Sequence, residues 1–408
     1  MPRQFAVYHQ EWTAQVSQAL PHLSKPQAVV LALFSLGMVF VRSCAVTAVT
    51  SYLALALERP PNTVRQQLRE FCYEAKAKAG QHRREVKVES CFLPLLAWII
   101  DRWEGTQLAL ALDATTLGDR FCVLVVSVVY RGCAIPVAWV VLPAGKKHAW
   151  RQEWLRLLRL LHRAIPSGWT VLVLADRGLY ARWLFRRIVR LGWHPFLRIN
   201  LRGSFRPSDQ TNFWPLRTFV PTIGTSWAGT GTAFRTEECR LECTLLARWE
   251  APHADPWLIL TDLPPDACSA CWYGLRIWIE RGFKSIKRGG WQWQSTRMTD
   301  PKRAARLWLA VAVATLWLVS VGGEADAAEP ESACETLDVT LPSQKRKRRA
   351  TRLRQVGVFQ QGLIRLVLVM LDHKPLPFGR FIPEPWPEAP PLTITTLPKH
   401  PASQETYP

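Results

Sequence analysis

Residues 272–290 read WYGLRIWIERGFKSIKRGG, and four of them, Tyr273, Arg276, Glu280 and Lys287, stand at offsets of 0, 3, 7 and 14. At about 100° per residue of an α-helix, these offsets fall within an arc of roughly 60°. One phenol, two cations and one carboxylate therefore share a stripe. The adjoining arc carries Trp272, Leu275, Ile279, Phe283 and Ile286, suited to packing on a sheet, while Arg281, Lys284 and Arg288 flank the other side. The segment is predicted as a helix with a core face and a basic working face. A solvated helix with an ordinary ion pair would also place a carboxylate among cations, so the stripe gains its weight from two acids elsewhere in the chain.

Those acids close two apolar runs. QLALALDATTL (107–117) carries Asp113, and WTVLVLADRGLY (169–180) carries Asp176 ahead of a Gly turn. Continuous rather than alternating apolarity predicts strands covered on both faces, and an acid at the end of such a strand stands at the rim where open α/β sheets bind ligands. Strand-end Asp also serves as a turn or cap residue; two such acids together with Glu280 form a constellation.

Between and after the acids, FCVLVVSVVY and AIPVAWVVLP, joined through Arg131, Gly132 and Cys133, predict a hairpin. HAWRQEWLRLLRLLHRAI and LYARWLFRRIVRLGW, the latter stopping at Gly192, predict amphipathic helices on either side of the Asp176 strand, and HPFLRI predicts a fifth strand. Strand, hairpin, helix, strand, helix, strand resembles the order of a ribonuclease H-like core, in which the first and fourth strands hold acids side by side. The predicted fold class is α/β, a mixed sheet flanked by helices, with a β-rich insertion and a helical N-terminal domain.

The spacing Y-x2-R-x3-E-x6-K, met in full by Tyr273, Arg276, Glu280 and Lys287, resembles the signature of DDE transposases of the insertion-sequence-four type. That family's first acid sits in a D-x-T context, as do Asp113, Ala114 and Thr115, and its second is followed by Gly and an aromatic, as Asp176 is by Gly178 and Tyr180. The resemblance spans roughly residues 105–320. It implies a cut-and-paste enzyme acting on double-stranded DNA, dimeric when it joins two element ends, with a β-rich insertion between the second Asp and the Glu. It also implies Asp113, Asp176 and Glu280 as catalytic metal ligands and Tyr273, Arg276 and Lys287 as DNA contacts.

The chemistry suits these residue types. Phosphodiester cleavage and strand transfer are in-line displacements at phosphorus, which a two-metal site stabilises at both the attacking and the leaving oxygen. Mg²⁺, or Mn²⁺ in its place, takes carboxylate oxygens together with phosphate and water. Arg276 and Lys287 suit phosphate, one as a bidentate fork and the other as a point charge; Arg281 and Lys284 extend the basic flank. A base-stacking role for Trp249 or Trp257 competes with ordinary packing.

Charge and length agree. The 408 residues carry 52 Lys plus Arg against 32 Asp plus Glu, a net +20 that calls for a polyanionic partner. The expected divisions are a helical DNA-binding region (1–95), the catalytic core in two parts (96–200 and 256–322) around the insertion (201–255), and a basic C-terminal region with a Pro-rich tail (323–408). In the first region an Asn62-capped basic helix bearing Arg65, Arg69, Lys76 and Lys78 reads either as a helix-turn-helix reader or as a solvated face. In the last, GEADAAEPES reads as a linker, SQKRKRRATRLRQ as a phosphate-binding run, VFQQGLIRLVLVMLD as a packing or pairing helix, and everything from Pro375 onward as extended or disordered.

The apolar stretches 27–41 and 307–321 fall short of the ~20 residues of a spanning helix and read as buried helices. With no signal peptide in MPRQFAVYHQEW and no secreted cysteine framework, the expectation is cytoplasmic, nucleoid-associated and without a membrane. Cys239, Cys243, Cys268 and Cys271 only superficially resemble a zinc site. Three readings compete with the transposase: a silent or domesticated DNA-binding descendant, a related ribonuclease H-like nuclease, and a basic peripheral membrane protein.

Overall fold

The computed structural model describes residues 2–80, 83–145, 150–328, 332–333, 352–353, 356–388 and 390–397. Helices α1 (Pro2–Ala19), α2 (Lys25–Val41), α3 (Val46–Ala56), α4 (Pro61–Cys72) and α5 (Phe92–Ile100) come first. The α/β core follows as β1 (Gln107–Leu117), β2 (Phe121–Tyr130), β3 (Cys133–Pro143), α6 (Trp150–Leu161), β4 (Thr170–Ala175), α7 (Arg182–Arg190) and β5 (His194–Arg198). Then come β6 (Ser204–Pro207), β7 (Trp214–Pro215), β8 (Thr225–Ala233), β9 (Leu241–Trp249), β10 (Trp257–Thr261), α8 (Ile277–Lys284), α9 (Pro301–Ala327) and α10 (Val358–Leu371).

The first five strands lie in the order β3-β2-β1-β4-β5, antiparallel across β3-β2-β1 and parallel across β1-β4-β5. This is a mixed sheet flanked by helices, consistent with a ribonuclease H-like domain. Every residue of β2 is buried, which is why FCVLVVSVVY shows no alternation. The β2–β3 hairpin turns on Arg131 and Gly132, at φ 44° and 78°. Positive φ at both positions matches the right-handed twist of the strands. The sheet continues past β5 through β10, β9, β8, β6 and β7, so residues 201–255 extend the core sheet instead of forming a sheet of their own.

Helix α9 runs through the interior. The 18-residue window in which it is apolar enough to cross a membrane is 94% buried within the protein. Trp308 lies near Trp139 of β3, Trp317 stacks on Trp12 of α1 at 4.1 Å between ring centroids, and Gly322 and Gly362 let α9 and α10 touch backbone to backbone. The linker expected from Gly323 is corrected in part: Gly322, Gly323 and the residues to Ala327 belong to α9, and the Tyr130 ring fills the space a side chain on Gly323 would need.

Two further expectations change, and a third is refined. Helix α4 is capped by Pro60 without a side-chain bond, and Asn62 lies inside its first turn. It ends at Cys72, so Lys76 and Lys78 stand beyond it, around a short 3-10 turn (Ala75–Ala77). The Pro-rich stretch from Pro375 is extended but docked, with Phe381 buried, Ile382 N–H donating to the Tyr130 hydroxyl and Thr393–Ile394 pairing with β8. The basic run SQKRKRRATRLRQ lies outside the described residues except for the backbone of Arg352 and Leu353.

Helix α8 is seated on the sheet by Gly282, where an added Cβ would stand 2.8 Å from the Ala134 Cβ of β3. Gly282→Val forces that contact open, and overpacking of this kind costs about 1–3 kcal/mol. The urea midpoint is therefore expected to fall with an unchanged m-value; an unchanged midpoint would show that α8 is not held by this contact.

Candidate active site

The three acids come from three elements. In the parallel ladder Leu112 pairs with Ala175 and the pairing ends there, although β1 continues along β2 to Leu117. Asp113 is thus the first residue of β1 without β4 beside it, and Asp176 the first beyond β4. Asp113 lies within its strand, not at the strand end as the apolar run suggests; what ends at that point is the β4 side of the ladder. The fork opens toward α8, which carries Glu280.

Arg276 holds the acids together. Its Nη2 lies 2.8 Å from Asp113 Oδ2 and 3.7 Å from Asp176 Oδ2, and its Nη1 donates to Glu280 Oε1 at 2.6 Å. The guanidinium side chain is 11% exposed, while the acids grade outward from Asp113 (19%) through Asp176 (38%) to Glu280 (53%). Among the described residues no three His, Cys, Asp or Glu side chains stand close enough to share a metal ion. Three negative charges against one guanidinium leave a formal −2, so the cluster is under-neutralised, and all its donors are hard oxygens of the kind Mg²⁺ and Mn²⁺ take.

The electrostatics follow from burial. Loss of solvent raises the Asp113 pKa above its ordinary 3.8; Arg276 and the Ala114 N–H oppose this, while Glu280 and Asp176 add to it. Burial works against the charge on Arg276, but Tyr273 and the acids around it outweigh that, and its pKa is raised. The Lys287 pKa is lowered by burial and by Arg288, with Asp113 pulling the other way, which sets Lys287 within electrostatic reach of Asp113. Arg281 is half-buried and Lys284 exposed, and neither is ion-paired among the described residues.

The single straight helix expected for the stripe is replaced by three geometries in series: a 3-10 stretch (Ala270–Arg276), α8, and a π turn (Ser285–Gly289). Tyr273, on the tighter 3-10 turn, faces inward at 5% exposure with its ring edge-on to Trp257. Its hydroxyl makes no well-formed hydrogen bond, although Arg276 and Arg198 are near enough to act on it. Trp257 also lies against His253, and Trp249 donates from its indole N–H to the His253 carbonyl and receives Arg217 on its face, so both Trp side chains are engaged in packing. The Arg276 bridge across the acids had no sequence signal beyond its i,i+4 spacing to Glu280.

A strand acid and a neighbouring strand-end acid on a mixed sheet, faced by a helix acid and bound by a shared cation, thus gather at one rim of the sheet. Residues 105–317 match the family described as Transposase DDE domain, more than half of the chain, and the chain belongs to that family. No curated protein matches the sequence.

Because Asp113 binds its proton more tightly when folded than when unfolded, its contribution to stability is present below the unfolded pKa and lost as pH rises through the raised folded value. Asp113→Asn removes that loss. Without divalent ions the variant is expected to melt above wild type near neutral pH, with the gap closing below the ordinary carboxylate pKa. A variant less stable at neutral pH would mean that the pair with Arg276 outweighs the burial of Asp113.

Proposed function

We propose that this chain is a transposase of the insertion-sequence-four type, which binds the terminal repeats of its own element in double-stranded DNA and cuts and rejoins them by metal-dependent phosphoryl transfer. The observation that carries this is the convergence of Asp113, Asp176 and Glu280 on Arg276 inside the family-matched region. Asp113, Asp176 and Glu280 are the residues to hold two Mg²⁺ ions, or Mn²⁺ in their place. When bound, the ions would supply Lewis-acid stabilisation of the oxygens at phosphorus.

The chain's own residues do the rest. Arg276 keeps the acids gathered before metal or DNA arrives and, once released, presents its fork to a phosphate beside the scissile bond. Lys287, whose charged form is disfavoured by burial and by Arg288, gains a favourable counter-charge from a phosphate in the same place. The unpaired Tyr273 hydroxyl is a buried donor that a phosphate oxygen would satisfy. Arg281 and Lys284 offer the outer, sequence-independent contacts.

Recognition of element ends falls to α3 and α4, joined by the short segment 57–60, with Asn62, Arg65 and Gln66 exposed on α4; amide and guanidinium groups of this kind read base edges. A second copy of the chain completes the synaptic assembly. Ile364, Leu368 and Leu371, exposed at 45%, 53% and 67% along one side of α10, support a surface for that pairing. Action on chromosomal DNA implies a place in the cytoplasm, at the nucleoid.

Incubated with a DNA fragment carrying the flanks of its own gene, wild type is expected to release Mg²⁺-dependent 3′-hydroxyl ends. Glu280→Ala, Asp113→Ala and Asp176→Ala should each abolish cleavage while binding the ends as tightly as wild type. Tight binding with no cleavage by wild type in Mg²⁺ or Mn²⁺ would instead favour a silent DNA-binding descendant, and cleavage without joining to a target plasmid would favour a nuclease.

A further inference from the structure

Helices α6 and α7 pack side by side and leave between them a cleft of about 800 Å³ whose lining includes none of the three acids or Arg276. Arg182, Arg186 and Arg190 repeat every fourth residue along the α7 side, and Arg151 and Arg159 stand two turns apart along the α6 side. At ~1.5 Å per residue each row is about 12 Å long. Arg151 lies over the face of Trp183, which braces one end of the cleft. Among the described residues only Arg156 of the lining cations is neutralised, by Glu153 and Glu89.

A solvated pair of helices scatters carboxylates among its cations to relieve like-charge repulsion at i,i+4. Helix α7, RWLFRRIVR, holds four Arg and no acid. The Arg187 Nε is buried without a partner, so the cluster carries unmet donor capacity as well as unmet charge. The apolar residues Leu184, Phe185 and Ile188 of α7 are buried, and the half-buried Trp183 and exposed Val189, six residues apart, make no continuous apolar face to enter a lipid surface, as a membrane-lying helix requires. The ligand is thus a polyanion met by charge and hydrogen bonds alone. In DNA the charges of one strand follow at ~3.4 Å along the axis, so a row of about 12 Å spans three to four base pairs.

We propose that the α6–α7 cleft is a second contact surface for the sugar–phosphate backbone of duplex DNA, sharing no residue with the acid cluster. It rests on the transposase reading for its partner but not on catalysis. Its role is to hold a length of duplex beyond the one being cut, without reading sequence.

The test compares full-length wild type with R159Q/R186Q/R190Q and R159K/R186K/R190K on a short duplex of unrelated sequence. The expected result is a plot of log K against log[salt] shallower by about 2–3 for the Gln variant, at roughly 0.9 for each phosphate no longer neutralised, with circular dichroism and Tm unchanged and the Lys variant restoring the slope. An unchanged slope in the Gln variant overturns the proposal. So does loss of binding to phosphatidylserine vesicles with the DNA slope intact, which would make the cleft a lipid surface. Cleavage of element ends by wild type is scored in parallel: no cleavage with a shifted slope defeats the transposase reading and leaves the cleft standing, while cleavage with an unshifted slope does the reverse.

Discussion

A helix buried on every side has to be enclosed on every side, and α9 imposes that condition on this chain. Its apolar length cannot face water, so the sheet covers it through β3, α1 and α2 through their own apolar faces, and α10 through a glycine contact. Arg306, near its start, is buried and donates to the carbonyls of Cys72 and Val86 and to Glu85, which binds the segment after α4 to the same helix. The helical N-terminal region and the α/β core therefore close over one hydrophobic interior. Glu280 stands at a defined place because α8 lies against β3, and β3 in turn lies against α9.

Within that frame the acid cluster is a problem of like charges. Carboxylates gathered around a single guanidinium repel one another, and burial adds to the cost at Asp113. Arg276 resolves the conflict from inside the protein by pairing with an acid of β1, an acid beyond β4 and an acid of α8, the helix that follows it. On the proposed reading, divalent cations would relieve the same repulsion and would compete with the guanidinium for the carboxylate oxygens. On that reading, the residue that keeps the acids gathered would be the one released when metal binds.

The five-strand order and both strand acids were legible because strands covered on both faces leave unbroken apolar runs, as the buried stretches of β1, β2 and β4 do. The helix acid was legible from spacing, but its surroundings were not. A stripe drawn at a constant 100° per residue cannot register a 3-10 turn before α8 and a π turn after it, so Tyr273 was expected at the surface and lies in the core. Nor does local pattern show that Arg276 reaches Asp113, 163 residues away in the chain. The continuation of the sheet through β10 into β6–β9 depends on edge pairing, which composition does not encode. The Pro-rich stretch announced its extended backbone without naming the grooves that receive it.

That stretch has a consequence in the order of synthesis. Trp317 donates to the Pro377 carbonyl, Phe381 N–H to that of Arg102, Ile382 N–H to the Tyr130 hydroxyl, and Thr395 N–H to the Ser226 carbonyl. Arg131, at the β2–β3 turn, is tied to Ile382 and Glu384 as well as to Asp326. Each of these partners leaves the ribosome well before the strap that binds it. A chain cut short before residue 376 would carry all three acids yet lack the clasp across the hairpin turn, α9 and β8, so damaged copies of the gene would yield a looser product even when the codons for all three acids survive.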